Sequence, residues 1–213
     1  MPGSSGPSRP PGKLQTVLAV SGIIGPIVYA VVVGVLGFLQ PDYSHVSQTM
    51  SELGADGARY PLVMNTAGLP LLGLSAIALA VGLHHGVGSN RGAWTGPALI
   101  AVAGACLIMA AVFPCDPGGV DRTTTGTVHG IFAGLAAAGA IFGLLALSLR
   151  FRGQPEWRGY AGYSLATMVL SVILACLFGL SPFDEWRGAL QRAAMALPLV
   201  WMVVVGSRLL RLR

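Results

Sequence analysis

The residues of this chain that could move a proton or hold a charge are few, and they gather in three connections. His45 and Glu52 fall in QPDYSHVSQTMSELGADGARYP, Asp116, Asp121 and His129 in FPCDPGGVDRTTTGTVHG, and Gln191 and Arg192 in SPFDEWRGALQRAAMALP. A carboxylic acid at the mouth of an apolar bundle has its pKa raised, so it can stay protonated and donate to an alkene, epoxide or ester oxygen. A histidine beside it can donate, accept or shuttle a proton near neutral pH. Glu52, Asp116 and His129 are therefore the expected catalytic proton-transfer groups, with His45, Asp121, Gln191 and Arg192 binding or orienting a substrate.

Arg192 carries a specific expectation. It lies five residues past Arg187, about 7 Å further along a helix, and a charge inside a span costs a few kcal/mol unless it snorkels or is paired. Glu52, Asp116 and Asp121 are its expected counter-charges. Asp116, between Pro114 and Pro117, sits in a stiff turn, whereas Asp121 and Arg122 lie among Gly and Thr in a more mobile stretch. His45, Glu52, Asp116 and His129 have the donor chemistry for Zn²⁺ but no known ligand spacing, so neither a metal nor a cofactor is expected. There is no Gly-rich phosphate loop and no HExxH, and His84 and His85 end helix two away from His45 and His129, which argues against a haem pair.

The elements that must position these groups are six apolar stretches, Leu14–Leu39, Pro61–Leu83, Gly92–Phe113, Gly130–Leu149, Gly159–Leu180 and Ala189–Ser207. Each has about the 20 residues that a helix needs to cross a bilayer. A hydrophobic fraction of 54%, 10% charged residues and a mean hydropathy of +0.70 are abnormal for a soluble domain. The expected fold is all-α, a polytopic membrane bundle of six transmembrane helices, with residues 14–213 as its single domain. Residues 1–13, rich in Pro, Gly and Ser, read as a disordered tail. The first apolar run is too long for a signal-peptide core and reads as a permanent span.

Charge is sorted between the two ends of the bundle. Seven of the eight carboxylates fall in the first, third and fifth connections, while nine of the thirteen Lys and Arg residues flank the opposite ends of the spans. By the positive-inside rule both termini are expected inside, in a multi-pass protein of the cytoplasmic (inner) membrane. The pI of about 9.6 then reflects topology; nucleic acid is not an expected partner, whereas membrane lipids and a lipophilic small molecule are.

Between Gln40 and Pro61, Val46, Met50 and Leu53 recur at helical spacing opposite His45, Gln48 or Thr49, and Glu52. This predicts a short amphipathic interfacial helix of about three turns, ended by Gly54 as a left-handed cap. Gly130, Gly134, Gly139 and Gly143 make small-xxx-small pairs, which predict a central position for the fourth helix. Pro26, Pro70, Pro97 and Pro198 should loosen their spans locally. Cys106 and Cys176 read as packing residues inside spans, and Trp186 as part of an interfacial aromatic belt.

SELGADG after the first span, FPCDP closing the third, HG opening the fourth, WRGYAGYSLAT entering the fifth and GALQR entering the sixth form an ordered set over about residues 15 to 210. The set resembles the bacterial membrane-protein family numbered 998 among domains of unknown function. That resemblance implies six spans with polar motifs on one face, and no activity. The residues themselves support two readings. One is an enzyme acting by acid-base catalysis on an isoprenoid or other lipid, as in terpenoid cyclisation or in transfer or hydrolysis at a headgroup. The other is a non-catalytic structural or lipid- or partner-binding membrane protein, in which SELG and FPCDP are cap and turn chemistry.

Overall fold

A computed structural model describes residues 12–88, 92–120 and 122–212, the side chains of 181 and 182 excepted. Asp121 and nearly all of the expected tail lie outside the described residues. Among the described residues six helices are long and apolar enough to cross a membrane: α1 Lys13–Leu39, α2 Pro61–Gly86, α3 Thr95–Val112, α4 Thr124–Arg152, α5 Arg158–Phe178 and α6 Arg187–Arg211. The chain is an all-helical membrane bundle. The first, third and fifth connections form its acidic end, and the second and fourth form its basic end.

Each helix packs against the next, α6 returns to α1 to close a ring, and α2 also touches α6. Lipid supplies no hydrophobic drive for helix association, so close approach depends on small residues. Gly73 of α2 and Gly104 of α3 bring two backbones together: a methyl on either would lie 2.4 or 2.5 Å from the other's carbonyl oxygen. α2 is therefore the helix at the centre, with 56% of its most apolar window buried against 28% for α4. The expectation for α4 is corrected accordingly. Its Gly139 and Gly143 do meet α3, at Leu99, Ile100 and Ala103, but Gly134 faces open space. Gly139 and Gly143 thus serve one neighbour, α3.

Pro70 cannot donate to the carbonyl one turn back, and α2 absorbs this in a single π-helical turn, Met64–Gly68, where Leu69 N–H bonds to Met64 O. Asn65, on that widened turn, donates through Nδ2 to Gly54 O at 2.8 Å, which fastens the first acidic-end connection to α2. Of the two cysteines placed inside spans, Cys106 is buried but Cys176 is exposed on the outer surface of α5.

The three-turn amphipathic helix is replaced by something shorter. Residues 44–48 form a turn in which Ser44 Oγ accepts from Val46 and Ser47 N–H, both at 3.3 Å, and Gln48 Oε1 accepts from Ser44 N–H at 2.8 Å. These local bonds compete with the helical ones. What remains helical is one 3-10 segment, Met50–Gly54. Met50 and Leu53 are buried as expected, but Val46 is 45% exposed. Gly54 has no positive φ; its missing side chain makes room for Asn65.

Candidate functional site at the acidic end

Two joints occupy the acidic end. The first lays residues 40–58 over the start of α6. Asp42, with φ of 56°, turns the chain at the end of α1, a conformation that Asp tolerates because its short side chain can bond locally. Arg192, one turn inside α6, then gathers the connection. Its Nη1 donates to His45 O at 2.8 Å, Gln48 O at 2.9 Å and Gly188 O at 2.9 Å, while Nη2 donates to Tyr43 Oη. The guanidinium carbon lies 5.5 Å from the Tyr43 ring centre. Tyr43 Oη in turn donates to Thr49 O at 2.8 Å.

Arg192 therefore does not take Glu52 or Asp116 as a counter-charge. Converging carbonyl dipoles satisfy its planar fork, which presents five N–H donors and needs acceptors more than it needs a formal anion. Gly188 allows this approach, since a methyl there would lie 2.2 Å from Gln48 O. The joint is completed by Ala189 N–H donating to Val46 O at 2.8 Å and Met50 N–H donating to Gln191 Oε1 at 2.6 Å.

Glu52 folds back on its own segment. Its Oε1 accepts from Thr49 N–H at 2.7 Å and Thr49 Oγ1 at 2.9 Å, and its Oε2 from Gln48 Nε2 at 3.4 Å. This is the carboxylate half of a capping box, and T-x-x-E at 49–52 was its legible but overlooked signal. His45 contributes its carbonyl to Arg192, while its ring stands edge-on to Tyr43 at 5.2 Å. Desolvation and then the charge of Arg192 hold the His45 pKa below its ordinary value. Burial raises that of Tyr43, and the hydrogen bond from Arg192 partly offsets the rise.

The second joint links α3 to α4. Thr123 is the N-cap of α4, its Oγ1 accepting from Gly126 N–H at 3.0 Å. Asp116 reinforces the cap: Oδ2 accepts from Arg122 and Thr123 N–H, both at 2.7 Å, and Oδ1 from Thr123 Oγ1 at 2.8 Å. Those backbone bonds, Thr123 first and Arg122 second, hold the carboxyl below its ordinary pKa. Asp116 is thus an ionised acceptor, the opposite of the protonated acid that the sequence suggested. Gly126 is required beneath it, because a methyl there would lie 2.1 Å from Oδ2.

Because α4 starts at Thr124 and not near residue 130, His129 lies more than a turn inside the helix. It is 6% exposed, and its Nδ1 lies 2.8 Å from Ala110 O and 3.0 Å from Phe113 O. Two carbonyl partners require the proton on Nδ1, so His129 caps the C-terminus of α3 just as Asp116 caps the N-terminus of α4.

The sequence-derived residues thus divide. His45, Glu52, Gln191 and Arg192 belong to the first joint, Asp116 and His129 to the second. The joints touch where a methyl on Gly119 would lie 3.4 Å from Glu52 Oε1. Between them lies a recess of about 280 Å³ lined by Gln40, Tyr43, Gln48, Glu52 and Asp56 with Pro117 and Gly118. Neither Asp116 nor His129 lines it. Among the described residues no group of three or more His, Cys, Asp or Glu side chains could hold a metal ion.

At the basic end, Arg150 mirrors Arg192. It is 5% exposed, and its Nη atoms donate to the carbonyls of His84, Val87, Gly88 and Ala93, joining α4 to the connection between α2 and α3. Arg150 is one of the nine basic residues that flank this end of the spans, and nothing in the sequence around it signals this role.

A family model described as "Protein of unknown function (DUF998)" matches residues 23–208. No curated protein and no solved structure matches the chain.

Proposed function

The chain belongs to the DUF998 family, a description that carries no chemistry, and we propose from its geometry a non-catalytic binding protein of the cytoplasmic membrane. Its acidic end faces outward and holds a positively charged group of a partner protein. The observation that carries this reading is the recess between the two joints, which presents the carboxylates of Glu52 and Asp56 beside Gln40 and Gln48. Its size suits one lysine or arginine head. The candidate acid-base residues support the same reading. Asp116 is held ionised under two backbone N–H groups, His129 has its Nδ1 proton on two carbonyls, and neither reaches the recess that Glu52 lines. The orientation, with both termini inside, rests on the excess of Lys and Arg at the basic end.

The test is binding of an arginine-rich hexapeptide to the protein in phosphatidylcholine nanodiscs. Binding should weaken as salt rises, because the attraction is between exposed charges. It should fall strongly in Asp56→Asn, which alters an exposed residue and spares both joints. Equal binding by Asp56→Asn and wild type would rule out the recess as the site.

A further inference from the structure

At the basic end, the start of α5 meets the last turns of α6 in a site that lacks an acceptor. α5 opens at Arg158 directly after a 3-10 turn, Pro155–Trp157; the Arg158 N–H donates to Pro155 O, and no side chain caps the helix start. Trp157 is 1% exposed, and among the described residues its indole N–H has no hydrogen-bond partner; the Nε of Arg208 is likewise buried without one among them. Both residues contact the Tyr160 ring: the Trp157 ring stands edge-on to it at 5.6 Å, and the Arg208 guanidinium carbon lies 5.9 Å from its centre. Arg208 Nη2 is held by Glu156 O at 2.7 Å, a backbone carbonyl and not a carboxylate. Arg158, the first residue of α5, and Arg211, three residues after Arg208 on α6, are exposed cations. A methyl on Gly159 would meet nothing within 4 Å, so the first turn of α5 is open to approach.

Buried donors without acceptors are uncommon, and each points to a missing partner. Here two of them adjoin the start of α5, and a helix N-terminus itself favours anions. We propose that this site binds the phosphate of an anionic membrane lipid, its oxygens completing Arg208, the Trp157 indole and the first turn of α5. The lipid is the preferred source because the site lies at the end of two spans, at headgroup depth. The site is separate from the acidic recess and does not depend on it.

The test uses full-length protein titrated with phosphatidylglycerol or phosphatidylcholine, read by lipid adducts in native mass spectrometry and by melting temperature. Phosphatidylglycerol should be retained preferentially and raise the melting temperature. Arg208→Gln should lose most of both effects, whereas Arg152→Gln, another exposed basic-end residue, should keep them. If inorganic phosphate alone reproduces the stabilisation with the same dependence on Arg208, the site stands with a soluble phosphate as its ligand. Should Arg208→Gln not fold, Arg208→Lys keeps the charge without the planar fork and should lower retention several-fold. Equal retention of the two lipids by wild type, equal loss in the Arg208→Gln and Arg152→Gln variants, or unchanged retention in Arg208→Lys would overturn the assignment.

Discussion

Asp116 shows how one side chain changes meaning once its neighbours are known. From spacing alone it is an acid at a membrane mouth, where burial would raise its pKa; with the N–H groups of Arg122 and Thr123 on Oδ2 it is an anionic cap. Its folded pKa lies below the ordinary 3.8. Its stabilisation is therefore fully present above that ordinary value and is lost as pH falls through the lower folded pKa. Asp116→Asn should melt at a lower temperature than wild type at pH 7, and the gap should narrow as the pH is taken below 4 in detergent unfolding scans. A gap that widens on acidification would contradict the cap. Gly126→Ala tests the same contact sterically: a methyl 2.1 Å from Oδ2 must displace the carboxylate or the helix, at about 1–3 kcal/mol. An unchanged melting temperature for that variant would mean that Asp116 does not sit over the helix end.

At the scale of elements, hydropathy and length made the six spans legible, because crossing hydrocarbon leaves the backbone few choices. The boundaries were less legible. The start of α4 was expected near Gly130 and lies at Thr124, because Thr123 and Asp116 together satisfy its first N–H groups. The interfacial helix was expected from the positions of Val46, Met50 and Leu53, but side-chain bonds from Ser44 and Gln48 turned its first half into a loop. A periodicity argument does not register such competition. The central role given to α4 failed for a related reason: a glycine motif announces that something can approach, not what does. The positions differ in a way that can be measured. Gly139→Leu should lower stability by about 1–3 kcal/mol through overpacking against α3, whereas Gly134→Leu, over open space, should leave the melting temperature nearly unchanged. Equal loss from both replacements would mean that α4 has a second neighbour on its Gly134 face.

For the whole molecule, the two ends are built alike: a buried or half-buried arginine, Arg192 at one and Arg150 at the other, draws in the carbonyls of a connection and so locks neighbouring helices together. Sequence identified Arg192 as unusual but offered Glu52 and Asp116, which it does not meet, because carboxylates can be read from a sequence whereas converging carbonyls exist only once the chain has turned. Orientation is tested by single cysteines at Glu156 and Thr124, both exposed in the structure. From outside the cell, an impermeant thiol reagent should label only the Thr124 replacement; labelling of the Glu156 replacement alone would invert the topology. The central claim is that Arg192 fastens the first acidic-end connection to α6. Hydrogen exchange of Arg192→Gln against wild type in nanodiscs tests it most directly. Losing a charged donor to three carbonyls should raise exchange across residues 41–58 by roughly 10- to 100-fold, the equivalent of about 1.5–3 kcal/mol, while the amides of α2 and α3 keep their protection. Unchanged exchange across 41–58 in that variant would contradict the account.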